Sequence, residues 1–363
     1  MIVKKLTSNG FRNFNNLEFI PNENMNVIYG DNAQGKTNLL EAIWLFCGAK
    51  SFRGAKDSEM LGFKSERAVN TLDFVFGDIE KTAKIIIEDK RKAELGGKKL
   101  SSAAALAGEF YAIVFSPNDL NLVNDGPAVR RRFLDTAIGQ LYPLYNEKLR
   151  NYYKAVTQRN SILRDIKFNS DAEYFLDDFE NSLALLSKEI IKYRLRYTQI
   201  LSDTAPELYS GISGEKETLK ISYNSTIPTS AEVDDIKKIL KLARKEDVFK
   251  GVTSVGPHRD DLELSLNGNT LKSFGSQGQK RSVCLTLKLS EAKVINKIAG
   301  EYPVALLDDV MSELDKGRQD FILNHIKDWQ VFITCCDPSN IKGLEKGTVF
   351  QMEGGNFCNI TVK

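Results

Sequence analysis

The sequence predicts an α/β fold of two lobes. One is a mixed, mostly parallel sheet around a phosphate loop; the other is mainly helical and carries a short antiparallel coiled-coil hairpin. Three observations lead there. A buried-strand pattern, "MNVIY" (25–29), runs through a glycine-punctuated loop into an apolar-periodic helix. A second apolar run, "VALLDD" (304–309), ends in paired carboxylates near the other end of the chain. Between them, over 145–200, the hydrophobic period changes to alternating threes and fours.

Composition bounds the answer. The 363 residues suffice for two cores, since a domain takes roughly 100–200 residues. With 42% hydrophobic and 27% charged residues the chain reads as soluble and globular. A net charge of +2 means that any nucleic-acid binding comes from local patches and not from a global field. The five cysteines, odd in number and without C-x-x-C spacing, argue against a disulfide framework or zinc site and fit a reducing cytosol. The start "MIVKKLTSNG" has no signal-peptide core, and no run approaches the roughly 18 apolar residues of a membrane span. The expectation is a cytoplasmic protein with no membrane partner.

Taken in order, residues 2–30 read as strands leading into "YGDNAQGKTNLLEA" (29–42), a G-x-x-x-x-G-K-T pattern. Leu39, Leu40, Ile43 and Leu45 then recur at helical spacing. Such a loop, here Gly30, Asp31, Asn32, Ala33, Gln34, Gly35, Lys36, Thr37 and Asn38, turns backbone N–H groups onto phosphate oxygens at a helix N-terminus. Lys36 would reach the β- and γ-phosphates, and Thr37 would place its hydroxyl on Mg²⁺. With both flanks correct, nucleoside triphosphate binding is a better reading than an incidental turn. Segments 70–78, 82–89 and 96–100 follow as β-hairpin material, and "FYAIVF" (110–115) as a buried strand.

The middle of the chain is helical. Tyr145, Leu149, Tyr152, Val156, Leu163 and Ile166 form one stripe, with Arg159 in its one polar slot. After "KFNSD", a second stripe runs from Leu176 to Ile200. Two such helices make an antiparallel hairpin with arms of roughly 40 Å, or else two core helices of a bundle. Short strands return at 218–226 and 261–268 around a charged helix near 231–249. A helix from about Gln279, the strand to Asp308, a helix at 316–327 and the strand "QVFITCC" close the β/α alternation. The expected division is 1–116 with 301–363 as the ATPase lobe, and 117–300 as the helical lobe with the hairpin at about 141–205.

The two carboxylates of "VALLDD" lie at the end of the strand where phosphate-loop folds bind ligands. Asp308 is placed to hold Mg²⁺ through water, and Asp309 to orient or deprotonate the attacking water. With Lys36 they are the candidate catalytic residues. Asp308 lies 272 residues after Lys36, so the site is assembled from both ends of the chain, unlike that of a small kinase or GTPase. In "FGSQGQKRSVCLTLKLSEA" (274–292), Ser276 and Gln279 form a capping box. Capping alone does not require Gly278, and a serine-capped, glycine-containing helix start also suits a γ-phosphate.

These motifs, in this order and followed by "SELD" (312–315), resemble ABC/SMC-type ATPase heads. In that superfamily the signature of one protomer closes on the ATP of the other, which assigns Ser276, Gln277, Gly278 and Gln279 to nucleotide binding. With "FRNF" (11–14), "SFR" (51–53), "FSPNDL" (115–120), "RRRFLD" (130–135) and "GPHRDDL" (256–262), the whole chain resembles the RecF family of bacterial recombination mediators. The resemblance implies an ATP- and Mg²⁺-dependent homodimer that binds double-stranded DNA and single-strand/double-strand junctions. It also implies action with RecR and RecO in helping to load RecA.

Two departures from the wider superfamily suggest a slow, switch-like ATPase. Asp309 stands where transporter ATPases carry glutamate, and "VFITCCD" offers Thr334 and Asp337 where they carry histidine. "FSPNDL" also lacks the glutamine of related heads. By resemblance Arg12 approaches nucleotide and Arg53 approaches DNA, an ion pair within the fold being the alternative for both. Arg130, Arg131 and Arg132 oppose the dipole of a helix start, which suggests a nearby anion: DNA phosphate, or carboxylates of the fold. His258 beside Asp260 could form an acid–base pair, but no nucleophile or metal partner is visible in the sequence, and a structural or interface role is the better reading. The other functional readings are a transporter ATPase, disfavoured by the motif separation and the missing histidine, and a nuclease-coupled head, which needs an acidic or histidine metal cluster or a partner supplying one.

Overall fold

Five of six strands run parallel in the sheet that carries the nucleotide motifs. Its order is Asn356–Val362, Gly347–Glu353, Met25–Tyr29, Val331–Cys335, Val304–Asp308, Ala112–Phe115, and only the first is antiparallel to its neighbour. Every residue of the last three strands is buried, because both faces of the sheet are covered; hence their unbroken apolar runs. The computed structural model describes residues 1–166, 168, 170–214, 217–337 and 347–362.

The hairpin segments form a second, antiparallel six-stranded sheet, ordered Leu17–Phe19, Ile2–Asn9, Ala68–Phe76, Ile79–Ile87, Lys92–Leu95, Lys98–Lys99. Ala68–Phe76 alternates buried and half-exposed residues, as a sheet with one packed face requires. Val3, Leu6, Phe74 and Ile85 from this sheet share one core with Leu39, Leu40 and Ile43 of the helix Lys36–Trp44. Phe19 joins the two sheets, its ring 5.0 Å from Phe350 and 6.0 Å from Phe332. The phosphate-loop helix is thereby fixed by packing along its apolar face.

The chain divides into two compact units. The first comprises Met1–Leu120, Glu207–Lys216 and Gln277–Lys363; the second comprises Asn121–Pro206 and Glu217–Ser276. The boundaries differ from the expected 117–300 at 117–120, at Glu207–Lys216 and, most extensively, in the helix Gln277–Ala299, which belongs to the sheet unit although the sequence division put it in the helical lobe. Its residues from Ser282 to Ala292 are all buried, and it packs on the strand Ala112–Phe115 and the turn Pro117–Leu120. A helix buried on all sides shows no polar face from which its lobe could be read.

In the second unit, the helices Pro143–Asp165 and Leu176–Ser213 run antiparallel. Tyr145 meets Tyr193 with ring centroids 5.4 Å apart, Lys148 pairs with Glu189 at 3.3 Å, and Arg159 pairs with Glu180 at 3.0 Å. Of the expected connecting loop, Lys167 and Asn169 lie outside the described residues. A third helix, Val233–Lys250, packs against the pair: its Asp247 bonds Arg159 at 2.6 Å and its Arg244 bonds Glu180 at 2.7 Å. The arms are therefore core helices of a bundle over this stretch. The polar slot at Arg159 is explained by this third helix, which the two-helix periodicity does not reveal. The same unit holds a three-stranded antiparallel sheet, Leu219–Asn224, Asp261–Leu266 and Asn269–Thr270, with the helix Pro127–Leu141 packed on its central strand.

Candidate nucleotide-binding site

The phosphate loop leaves the C-terminal end of Met25–Tyr29 and enters the helix Lys36–Trp44. Gly30 (φ 152°), Ala33 (φ 66°) and Gly35 (φ 113°) have positive φ. Gly35 has a further constraint: a Cβ there would lie 2.7 Å from the Asn13 amide nitrogen, so a side chain would push the loop off its support. Lys36, only 7% exposed, donates from Nζ to the main-chain oxygens of Gly30 (2.5 Å) and Asp31 (2.8 Å), with Cys336 Sγ at 3.9 Å. Its ammonium is held by neutral carbonyls at the mouth of an anion cradle.

Thr37 Oγ1 donates to Asp308 Oδ1 at 2.7 Å, bringing together residues 271 apart in the chain. Thr334 Oγ1 lies 3.0 Å from the same carboxylate oxygen and accepts a bond from the Asp309 N–H, also at 3.0 Å. Burial holds the Asp308 carboxyl above the ordinary carboxylate value, while the bonds from Thr37 and Thr334 draw it down. Asp309 occupies the left-handed region, φ 54°, which turns the chain sharply after the strand. A hydroxyl and a carboxylate are hard oxygen donors. They fit Mg²⁺ that takes its remaining ligands from phosphate and water.

Behind the loop lies a network that the sequence only partly discloses. Glu41, on the loop's own helix, is fully buried. Arg12 donates to it from Nε (2.8 Å) and Nη2 (3.1 Å) and to the Glu59 main-chain oxygen from Nη1 (2.6 Å). Ser51 bonds Glu41, while Arg53 stands 3.9 Å from Glu41 and donates to Asn38 Oδ1 at 2.9 Å. A buried carboxylate requires counter-charges, and Arg12 supplies one directly, with the half-exposed Arg53 further off. Sequence reasoning missed Glu41, since a glutamate in the second turn of a helix looks like a solvent-facing residue. It also passed over Asn13, which donates to the Gln34 carbonyl at 3.0 Å and accepts from Asn38 Nδ2 at 2.8 Å.

The signature stretch begins the helix Gln277–Ala299, with Ser276 just before it and Gly278 and Gln279 in its first turn. "SELD" is tied to this helix start. Arg281 donates to the Glu313 main-chain oxygen at 2.8 Å; Arg318, bonded to Asp315, donates to the Gly278 carbonyl and to Ser282 Oγ, both at 3.0 Å. Within the first unit, "SELD" is thereby bonded to the start of this helix from Gly278 to Ser282.

Comparison with known proteins agrees with this geometry. Residues 5–273 match the family described as AAA domain. The DNA replication and repair protein RecF of Ruminiclostridium cellulolyticum is 37% identical over 98% of this chain and 99% of its own length. The protein of the same description from Clostridium perfringens is 39% identical over 98% and 99%. The chain belongs to the RecF family. A solved structure of the recombination mediator protein RecF-ATPrS in the RecFOR pathway superposes with a TM-score of 0.91, at 35% identity over 98% of this chain and 97% of that one. An Smc head domain from Pyrococcus furiosus superposes at 0.55 with 15% identity, which shows the shared ATPase-head fold.

The motifs "RRRFLD" and "GPHRDDL" lie in the second unit, and there the structure decides between the two readings of Arg130. Arg130 is not a surface cation. It is buried, donates through Nε and Nη2 to both oxygens of Asp261 at 2.8 Å, and caps the carbonyls of Leu122 and Asp125. Its anion is a carboxylate of the fold, 131 residues distant and invisible to local reading. Arg131 is half-buried and donates to the Asp260 carbonyl at 2.7 Å, while Arg132 is exposed. His258 Nδ1 meets the Tyr152 hydroxyl at 2.7 Å and Nε2 meets the Thr253 carbonyl at 3.0 Å, so Nε2 carries the proton. Burial lowers its pKa and favours this neutral ring. Asp260 is fully engaged by Tyr223, Ser225 and Thr226. "GPHRDD" is a structural knot, with no acid–base pair.

Among the described residues no helix is long and apolar enough to cross a membrane, and no three His, Cys, Asp or Glu side chains gather into a metal-binding group.

Proposed function

We propose that this protein is an ATP-dependent DNA-binding recombination mediator. It dimerises on ATP, binds gapped DNA and single-strand/double-strand junctions, acts with RecR and RecO, and helps load RecA. The observation that carries the reading is the 2.7 Å bond between Thr37 and Asp308, which unites the phosphate loop with the acidic strand end. Full-length kinship with RecF proteins supports the rest.

Bound Mg²⁺ would neutralise phosphate charge between Thr37 and Asp308. Lys36 exchanges the Gly30 and Asp31 carbonyls for the β- and γ-phosphates, and the loop N–H groups from Asp31 to Asn38 surround them. Asp309 orients water and accepts its proton. The Thr334 hydroxyl, bonded to the Asp309 main-chain N–H and to the Asp308 carboxylate, ties the turn at Asp309 to Asp308 where transporter ATPases use histidine. A threonine hydroxyl is a weak proton acceptor, which suits slow hydrolysis used as a switch. Ser276 and Gly278 of a second copy complete the site over the γ-phosphate. Arg53, Arg131 and Arg132 are the remaining candidates for DNA phosphate; Arg130 is withdrawn from that set.

The test is sedimentation with and without ATP and DNA. Ser276→Arg sets a bulky cation where helix N–H groups would meet phosphate. It should bind ATP as a monomer and lose both ATP-dependent dimerisation and the DNA affinity that depends on two heads. DNA binding by the wild-type dimer should weaken steeply with salt. A Ser276→Arg protein that still sediments as a dimer with ATP would sink the dimer site.

A further inference from the structure

The geometry points to a brace on the phosphate loop: the Gly354–Gly355 turn and Asn13 together fix the peptide between Gln34 and Gly35, making Gly355 and Asn13 positioning residues for ATP. This deepens the nucleotide-binding reading above and rests on it.

The strands Gly347–Glu353 and Asn356–Val362 are joined by two glycines at φ 56° and 81°, a tight hairpin turn. Both of their N–H groups point at one residue of the phosphate loop. Gly355 donates to the Gln34 main-chain oxygen at 2.9 Å, and Gly354 donates to its side-chain Oε1 at 2.6 Å. From the other side Asn13 Nδ2 donates to the same Gln34 oxygen at 3.0 Å. Asn13 Oδ1 in turn accepts from Asn38 in the first turn of the loop's helix, at 2.8 Å. One carbonyl therefore takes two donors, which uses both of its lone pairs.

A trans peptide sets its C=O and N–H in opposite directions. Pinning the Gln34 oxygen outward aims the Gly35 N–H inward, to the side where phosphate oxygens bind. The brace acts on an amide of the cradle without touching the ligand.

The two glycines are not equivalent. Gly354 is exposed, and a Cβ there meets nothing within 4 Å. Gly355 is buried, and a Cβ there would stand 2.6 Å from the Asn13 main-chain oxygen and 3.2 Å from its Nδ2. A methyl at 355 must separate turn and Asn13, and with them the two donors on Gln34.

Nucleotide titration and ATPase assays on the full chain test this. Gly355→Ala and Asn13→Ala should each raise the ATP Kd about tenfold, with kcat at saturating ATP within about twofold, because a misaimed amide weakens binding in ground and transition states alike. Gly96→Asn, at an open left-handed turn outside the brace, should change neither. An unchanged Kd in a folded Gly355→Ala protein, or an equal loss in Gly96→Asn, overturns the brace; should Gly355→Ala not fold, Asn13→Ala decides alone. Lys36→Ala separates the two layers. If it still binds ATP the site itself is wrong, whereas if it loses ATP and Asn13→Ala does not, the brace alone falls.

Discussion

Lys36 and Arg159 are both long cations withdrawn from water, and their partners differ in kind. Lys36 faces two main-chain carbonyls, which carry no net charge. Arg159 faces Glu180 and Asp247, both themselves buried, and Thr253 at 3.0 Å. A dry cation among carboxylates is already neutralised and serves the fold. A dry cation among carbonyls retains its charge and is completed only by an arriving anion. Arg194, bonded to Asp135 at 2.8 Å and to the Pro257 carbonyl at 2.6 Å, falls on the structural side, as does Arg130 with Asp261. The difference lies in the counter-ion, since burial is similar.

Substitution at Arg159 should have the largest effect on stability. Arg159→Met strands the buried Asp247 carboxylate, while Glu180 keeps Arg244, and should cost about 3–5 kcal/mol in urea unfolding. Adding Asp247→Asn should recover part of that loss, because the stranded charge goes with it. A loss below about 1 kcal/mol would remove the distinction between the two kinds of site.

Lys36→Ala should do the reverse. Its carbonyl partners are left with weaker bonds and no stranded charge, so the melting temperature should hardly move. ATP affinity, however, should fall by at least about a hundredfold in a fluorescent-nucleotide titration, as expected when one ammonium facing terminal phosphates is deleted. An unstable Lys36→Ala protein with ATP affinity intact would invert the comparison.

The same contrast explains what could be read from the sequence. The phosphate loop was legible because strand, loop and helix adjoin, and Asp308 because a buried strand ending in carboxylates beside such a loop has few other uses. Arg130 was left between DNA phosphate and a carboxylate of the fold, because the residue that decides it, Asp261, lies on another element. Glu41 and the Gly354–Gly355 turn were passed over for the same reason: each looks ordinary in its own segment and acquires meaning from Arg12, or from Gln34, hundreds of residues away in the case of the turn. Local chemistry reads from sequence. Pairings across the fold do not.

Asp119 supplies an intermediate case and the smallest expected effect. It sits in "FSPNDL", partly buried, with its Oδ2 accepting from the Ser116 N–H at 2.7 Å. Burial pushes its carboxyl from 3.8 up to about 6, against the pull of the buried Lys288 ammonium and the Ser116 bond, while Glu291 pushes the same way as burial. Lys288 itself is bonded to Glu291 at 2.6 Å, so its charge is already matched before Asp119 ionises. Because the folded value exceeds the unfolded one, the native state holds this proton more tightly. The stability it contributes is full below about pH 4 and is lost as pH rises through about 6. Asp119→Asn keeps an acceptor for Ser116 and carries no charge. Urea unfolding at pH 4, 5, 6 and 7 should therefore show the variant gaining about 1 kcal/mol on wild type across that window, once solvent screening of a partly exposed group is allowed for. Parallel profiles would mean that Lys288 neutralises Asp119 as fully as Glu180 and Asp247 neutralise Arg159, and would move this cluster to the structural side of the comparison.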